Sequence, residues 1–138
     1  MPGKRSMTGE TNLGRLLESA DPRLMEGEFV FCTFPAAEYG HLQELQPVAS
    51  ISEPEGLTLV VPRSVADRQG LGYESVFRRI ILMVHSSLDA VGLTSALSAS
   101  LAEHGIAANV VAGYYHDHIF VGAEVADRAL GVLADLSG

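Results

Sequence analysis

The stretch from Phe77 to Tyr115 constrains the fold more than any other part of this chain. Ile80-Ile81-Leu82-Met83-Val84 is an unbroken apolar run, as expected of a strand over Phe77 to Val84 covered on both faces. A small-polar loop follows, with Ser86, Ser87, Asp89 and Gly92. Leu93, Leu97 and Leu101 then recur every fourth residue beside Ala96, which predicts an amphipathic helix from Gly92 to His104. Gly105 stops it, and Ala108 to Tyr115 reads as a returning strand. A helix entered through so short a loop leaves its first backbone N–H groups without partners. Those donors and the helix dipole favour a carboxylate or another anion. The loop adds Ser86, Ser87, Asp89 and Thr94 but no complete catalytic set, so it suits holding a small molecule better than transforming one.

Composition narrows the classes. A chain of 138 residues that is 47% apolar can bury one ordinary core, or two very small domains sharing one. Its formal net charge of −8 argues against nucleic acid, which needs a basic face. The adjacent pair Arg78-Arg79 reads as the charged flank of a buried strand. Cys32 is the single cysteine and lies in Phe29-Val30-Phe31-Cys32, as a buried thiol would. A reducing, cytoplasmic setting fits it. The charged segment Met1 to Met7 precedes no apolar run of the secretory kind, and Ile80 to Val84 is too short to cross a bilayer. No membrane role is expected.

Along the rest of the chain, residues 1 to 10 read as a mobile start. Thr11-Asn12 caps a short helix carrying Leu13, Leu16 and Leu17, which ends before Asp21-Pro22. Glu28 to Phe34 is a strand stopped by Pro35, and Ala36 to Leu45 has room for two or three helical turns. Val48 to Ser52, the turn Glu53-Pro54-Glu55-Gly56 and Leu57 to Val61 form a hairpin. A short helix after Pro62 closes at Gly70. Gly70-Leu71-Gly72 lacks both the preceding strand and the third glycine of a dinucleotide loop, so no cofactor is expected. After the returning strand, a turn around His116-Asp117 leads into Ile119 to Val121. Val125, Ala129, Val132, Leu133 and Leu136 space a last helix.

Strand–helix–strand–strand–helix thus occurs twice, first in a shortened form. Helices laid on one face of antiparallel strands in this order describe an α+β, ferredoxin-like plait, β-α-β-β-α-β. The units divide at 11 to 72 and 73 to 138. The strand 77 to 84 is claimed by both, as the last of one or the first of the other.

Glu55 to Pro62 (EGLTLVVP), Val76 to Thr94 (VFRRIILMVHSSLDAVGLT) and Asn109 to Val121 (NVVAGYYHDHIFV) resemble ACT-domain proteins of bacteria, in particular the small stand-alone tandem group. The resemblance implies two tandem ACT units and a regulatory, non-enzymatic role. It also implies an amino acid bound at a domain or subunit junction, and a homo-oligomer, either a dimer or a dimer of dimers. Carried onto this chain, the ligand loop is Ser86, Ser87, Leu88, Asp89, Val91, Gly92, Leu93 and Thr94. The strand opposing it, from a neighbouring unit, is Asn109, Val110 and Val111, with Gly56 to Thr58 a further contact.

Each residue also has a plainer reading. Ser86 and Ser87 can cap the helix, Asp89 can sit in water complementing its dipole, Asn109 can begin a strand, and Gly92 can serve helix-start geometry alone. Tyr114 and Tyr115 alternate across a strand, one inward and one toward solvent or a partner. His85, His116, Asp117 and His118 pose the competing reading of a metal-dependent hydrolase. A strand would turn Asp117 away from the two flanking histidines, and a hairpin tip would leave all three in water. A ligand-free interaction module is the remaining alternative.

Overall fold

Asn12 opens the first helix as the sequence predicts: its side-chain oxygen accepts from the Arg15 N–H at 3.1 Å, and α1 runs Leu13–Glu18. The computed structural model describes residues 12–136, so the expectation for residues 1 to 10 lies outside it. Seven strands follow in one antiparallel sheet: β1 (Pro22–Leu24), β2 (Phe29–Phe34), β3 (Ala49–Glu53), β4 (Gly56–Pro62), β5 (Phe77–Leu82), β6 (Asn109–Ala112) and β7 (Asp117–Gly122). Among the described residues the other α-helices are α2 (Arg63–Arg68), α3 (Leu93–Glu103) and α4 (Ala126–Asp135).

The strand order is β3-β4-β2-β5-β7-β6, with β1 also lying against β5. The shared strand resolves as follows. β5 pairs with β7 from Phe77↔Gly122 to Ile81↔His118 and with β1 from Pro22↔Leu82 to Leu24↔Ile80, but meets β2 only at Phe29↔Phe77. It therefore opens the second plait in full and touches the first by one residue pair. The fourth strand of the second plait is β1, a strand that the sequence reading did not anticipate. Three residues after Asp21 are too few to show any period.

The cores follow this exchange. Leu16 and Ala20, from the N-terminal segment, are buried with Ile80, Leu82, Leu93, Leu97, Leu101, Ile119 and Leu133. Leu93, Leu97 and Leu101 form the predicted apolar stripe of α3. A second core joins Val30, Cys32, Leu57, Leu59, Val61, Val65 and Ala66 beneath α2. Alternate residues of the strands face the other way, where Phe29, Val60 and Phe120 are buried with Phe31, Phe77 and Val111 around them.

Two local expectations fail. Ala36 to Leu45 holds only a 3-10 turn, Gln43–Leu45, bracketed by Leu42 and Gln46 at φ of 64° and 53°. Those left-handed residues, with Gly40 at φ 95°, end any helix there. The hairpin turn of the second unit is centred earlier than His116-Asp117. The Gly113 N–H donates to the His116 carbonyl at 2.9 Å, so β6 stops at Ala112 and Asp117 is already in β7.

Candidate functional site

Between β5 and α3 the chain turns on Ser87. Its hydroxyl accepts from the Asp89 N–H at 3.1 Å and its carbonyl accepts from Ala90 at 3.0 Å. Gly92 then takes φ 98°, a conformation that favours glycine, and α3 begins. No side chain caps this helix, so neither Ser86 nor Ser87 has the capping role. The amides of its first turn are left toward the loop, where a negative group is favoured.

Ser86, Ser87, Leu88, Leu93 and Thr94 come together with Ala90, Ala112 and Asp117 around a crevice of about 80 Å³. Asp117 is the carboxylate inside it, only 8% exposed, with the Ser86 Oγ at 3.5 Å from its Oδ2. At that length the contact is weak, and the carboxylate keeps most of its accepting capacity. Burial pushes the Asp117 carboxyl above its ordinary range; the Ser86 hydroxyl and the neighbouring His118 and His116 pull the other way without cancelling it. Reading His116-Asp117 as a turn had hidden this residue. Its parity was the available signal, since Asp117 shares a strand face with buried Ile119 and Val121.

The other expected residues lie elsewhere in the single chain. Asp89 is exposed on the loop, and Val91 is 83% exposed at its tip. Gly92 is overlaid by Leu13 of α1: a Cβ built there would stand 3.2 Å from the Leu13 Cδ2. Val110 packs toward the helical core, whereas Val111 faces the opposite side of the sheet. The Asn109 side chain donates to the Phe120 carbonyl at 3.3 Å. All three belong to β6, which forms one edge of the sheet.

Exposed apolar groups lie in the crevice wall, at Leu88, and beyond the end of β6, at Tyr114 and Tyr115. Leu88 is 64% exposed, Tyr114 54% and Tyr115 50%. The His85 ring lies 5.1 Å from that of Tyr115, which in turn meets Tyr114 edge-on at 5.1 Å. Both tyrosines thus lie toward solvent, because the turn at Gly113 takes them out of the strand. The histidines do not converge with Asp117. Among the described residues no three His, Cys, Asp or Glu side chains are grouped to hold a metal ion. His118 faces away, on the side of Arg79, where burial and that guanidinium push its pKa down. Arg79 stacks over Phe29 at 5.0 Å, while Arg78 donates to the Met25 carbonyl at 2.9 Å. Among the described residues no helix is long and apolar enough to cross a membrane.

Comparison with known proteins agrees with this architecture. Two family profiles, each described as an ACT domain, match residues 8–78 and 74–135. No curated protein matches the sequence. A solved protein of unknown function from Vibrio cholerae, described as a possible transport protein, is 49% identical over 91% of this chain and 96% of its own, with a TM-score of 0.83. The regulatory subunit of aspartate kinase from Thermus flavus superposes with a TM-score of 0.63 at 11% identity, covering 88% of this chain and 99% of its own. Aspartokinase III of E. coli, solved with aspartate and ADP, does so at 0.60 and 11%, over 83% of this chain and 32% of its own. Those two share the fold.

Proposed function

The chain belongs to the ACT-domain family, and from that premise we propose that it is a non-enzymatic regulatory protein whose ligand is an amino acid held where two copies meet. The observation that carries the reading is the crevice beneath the Ser86 to Thr94 loop. It pairs uncapped helix amides at one end with the buried Asp117 carboxylate at the other. Those are opposite charge preferences around one crevice, as a zwitterion requires. In this arrangement the amides at the start of α3 receive the ligand carboxylate, and Asp117 receives its ammonium group.

A space of about 80 Å³ is small beside the roughly 300 Å³ at which ordinary ligand pockets begin. The single chain supplies a partial site. Leu88, Val91, Tyr114 and Tyr115 form an exposed apolar surround of the kind a second subunit covers. Asn109, Val110 and Val111 lie on an edge strand and reach such a site from a neighbouring copy. A homodimer bridged by its ligand follows, and the ligand shifts assembly by its preference for the bridged form.

Thermal denaturation of the full chain against each of the twenty amino acids at millimolar concentration tests the reading. A ligand at about 100 times its Kd adds about 2.7 kcal/mol, which raises Tm by several degrees. Asp117→Ala should abolish the rise, and sedimentation should show the dimer strengthened by the same amino acid. A panel in which none of the twenty moves Tm overturns it. A dimer that is unaffected by ligands would then point to the interaction-module alternative, for which the exposed tyrosines and Leu88 speak.

A further inference from the structure

The sheet is open near its middle. β2 and β5 touch only at Phe29 and Phe77, after which β2 continues to Phe34 while residues 72–76, leading into β5, pair with no strand. The gap is a cleft of about 480 Å³ lined by Phe31, Thr33, Thr58, Tyr73, Glu74 and Phe77 among others. It is six times larger than the crevice at Asp117 and shares no residue with it.

The hydrogen-bond phase of β2 decides what the cleft offers. The Glu28 carbonyl accepts from the Arg63 N–H at 2.9 Å, so Glu28 and every second residue after it bond toward β4. Phe29, Phe31 and Thr33 therefore turn their N–H and C=O groups to the other side. Val60 gives the same phase independently. It lies opposite Phe31, yet its carbonyl accepts from Val48 at 2.8 Å, on the β3 side. Phe29 meets Phe77, and the donors and acceptors of Phe31 and Thr33 open into the cleft. An inner strand left unpaired along half its edge is a template for another extended chain.

The walls suit one kind of occupant. Phe31 and Phe77 meet edge-on at 5.1 Å to make an apolar floor, and the exposed Glu74 carboxylate stands on the rim. That carboxylate favours a cation beside it. The exposed edge from Phe31 to Thr33 spans about 7 Å, room for two or three residues of an added strand. We propose that this cleft binds a short extended peptide segment, antiparallel to β2, through main-chain hydrogen bonds to Phe31 and Thr33, with a Lys or Arg side chain set against Glu74.

The test titrates the ¹⁵N-labelled full chain with an acetylated, amidated Val-Lys-Val tripeptide, using Val-Glu-Val and free lysine as comparisons. Val-Lys-Val should shift the amide signals of Phe31, Thr33 and residues 72–76 saturably, with a Kd of about 1 mM. Val-Glu-Val should bind about fivefold more weakly, free lysine should leave those signals in place, and Glu74→Gln should make the two peptides equal. Thr33→Pro removes only an N–H that β4 does not use and should weaken Val-Lys-Val about tenfold. The absence of saturable shifts at Phe31 and Thr33 up to about 10 mM peptide overturns the proposal. So does an equal response to free lysine, or a charge preference that survives Glu74→Gln. Should Thr33→Pro fail to fold, the peptide comparison and Glu74→Gln decide.

Discussion

Removing the Leu16 side chain tests whether the N-terminal helix is part of the second plait's core. Leu16 is fully buried on a helix of six residues and packs in one cluster with Ile80, Leu82, Leu97 and Leu133. Leu16→Ala deletes three carbons, a transfer loss of about 2.4 kcal/mol at about 0.8 kcal/mol per methylene. The hole that remains adds to this, but a helix so short can settle partly into it, which sets the total near 3 kcal/mol, toward the low end for such changes. At about 2.1 cal/mol/K of unfolding entropy per residue, the chain of 138 residues loses about 3.5 °C per kcal/mol, or about 10 °C here. Urea denaturation monitored by circular dichroism measures the change, with exposed Glu18→Ala as the control. The two variants Leu16→Ala and Leu97→Ala should also be non-additive by about 0.5 kcal/mol or more, because α1 packs on α3. A loss below about 1 kcal/mol, or one matching Glu18→Ala, would refute the reasoning by showing that α1 leaves without disturbing the core.

Two other outcomes follow from the same geometry. Gly56 holds φ 136° in the β3–β4 turn, and a Cβ there would stand 2.6 Å from the Phe34 carbonyl oxygen. Gly56→Ala should cost about 2–4 kcal/mol, whereas Gly70→Ala, at φ 67° with open space around it, should cost about 1 kcal/mol; equal losses in urea melts would show that the close approach is relaxed. Asp117 carries a raised pKa, so the folded state holds its proton more tightly than the unfolded chain does, and stability drains away as pH rises through the folded value. Asp117→Asn should therefore gain on the wild type from about pH 4 upward and then level off, and a gap that is flat or reversed with pH would contradict the assignment.

The elements that the sequence reading located share one property: their signal lies within a few residues. Asn12 as a cap, the four-residue spacing of Leu93, Leu97 and Leu101, and Gly56 closing the two-residue turn Pro54-Glu55 each act on their immediate neighbours. The misplaced elements depend on something farther along the chain. Ala36 to Leu45 has helical composition but is bent by Leu42 and Gln46 in left-handed conformations. In the site, Ser86, Ser87, Leu88, Leu93 and Thr94 were visible as one loop, because loop and helix start are contiguous. Asp117 arrives there from β7, and its place depended on where the Gly113 turn set the register. A shift of one residue would have put it on the other face.

Periodicity and turn chemistry along the chain were enough to determine one complete strand–helix–strand–strand–helix unit, the strands and closing helix of the shortened one, and the short loop that opens α3. Contact between distant segments decided the rest: β1 and α1 complete the far plait, β5 meets β2 at a single residue pair, and Asp117 lies beneath Ser86. The physical reason is range. A cap or an apolar stripe is a property of adjacent residues, but burial of Leu16, or the free edge of Phe31 and Thr33, exists only once the sheet has chosen which strands to join.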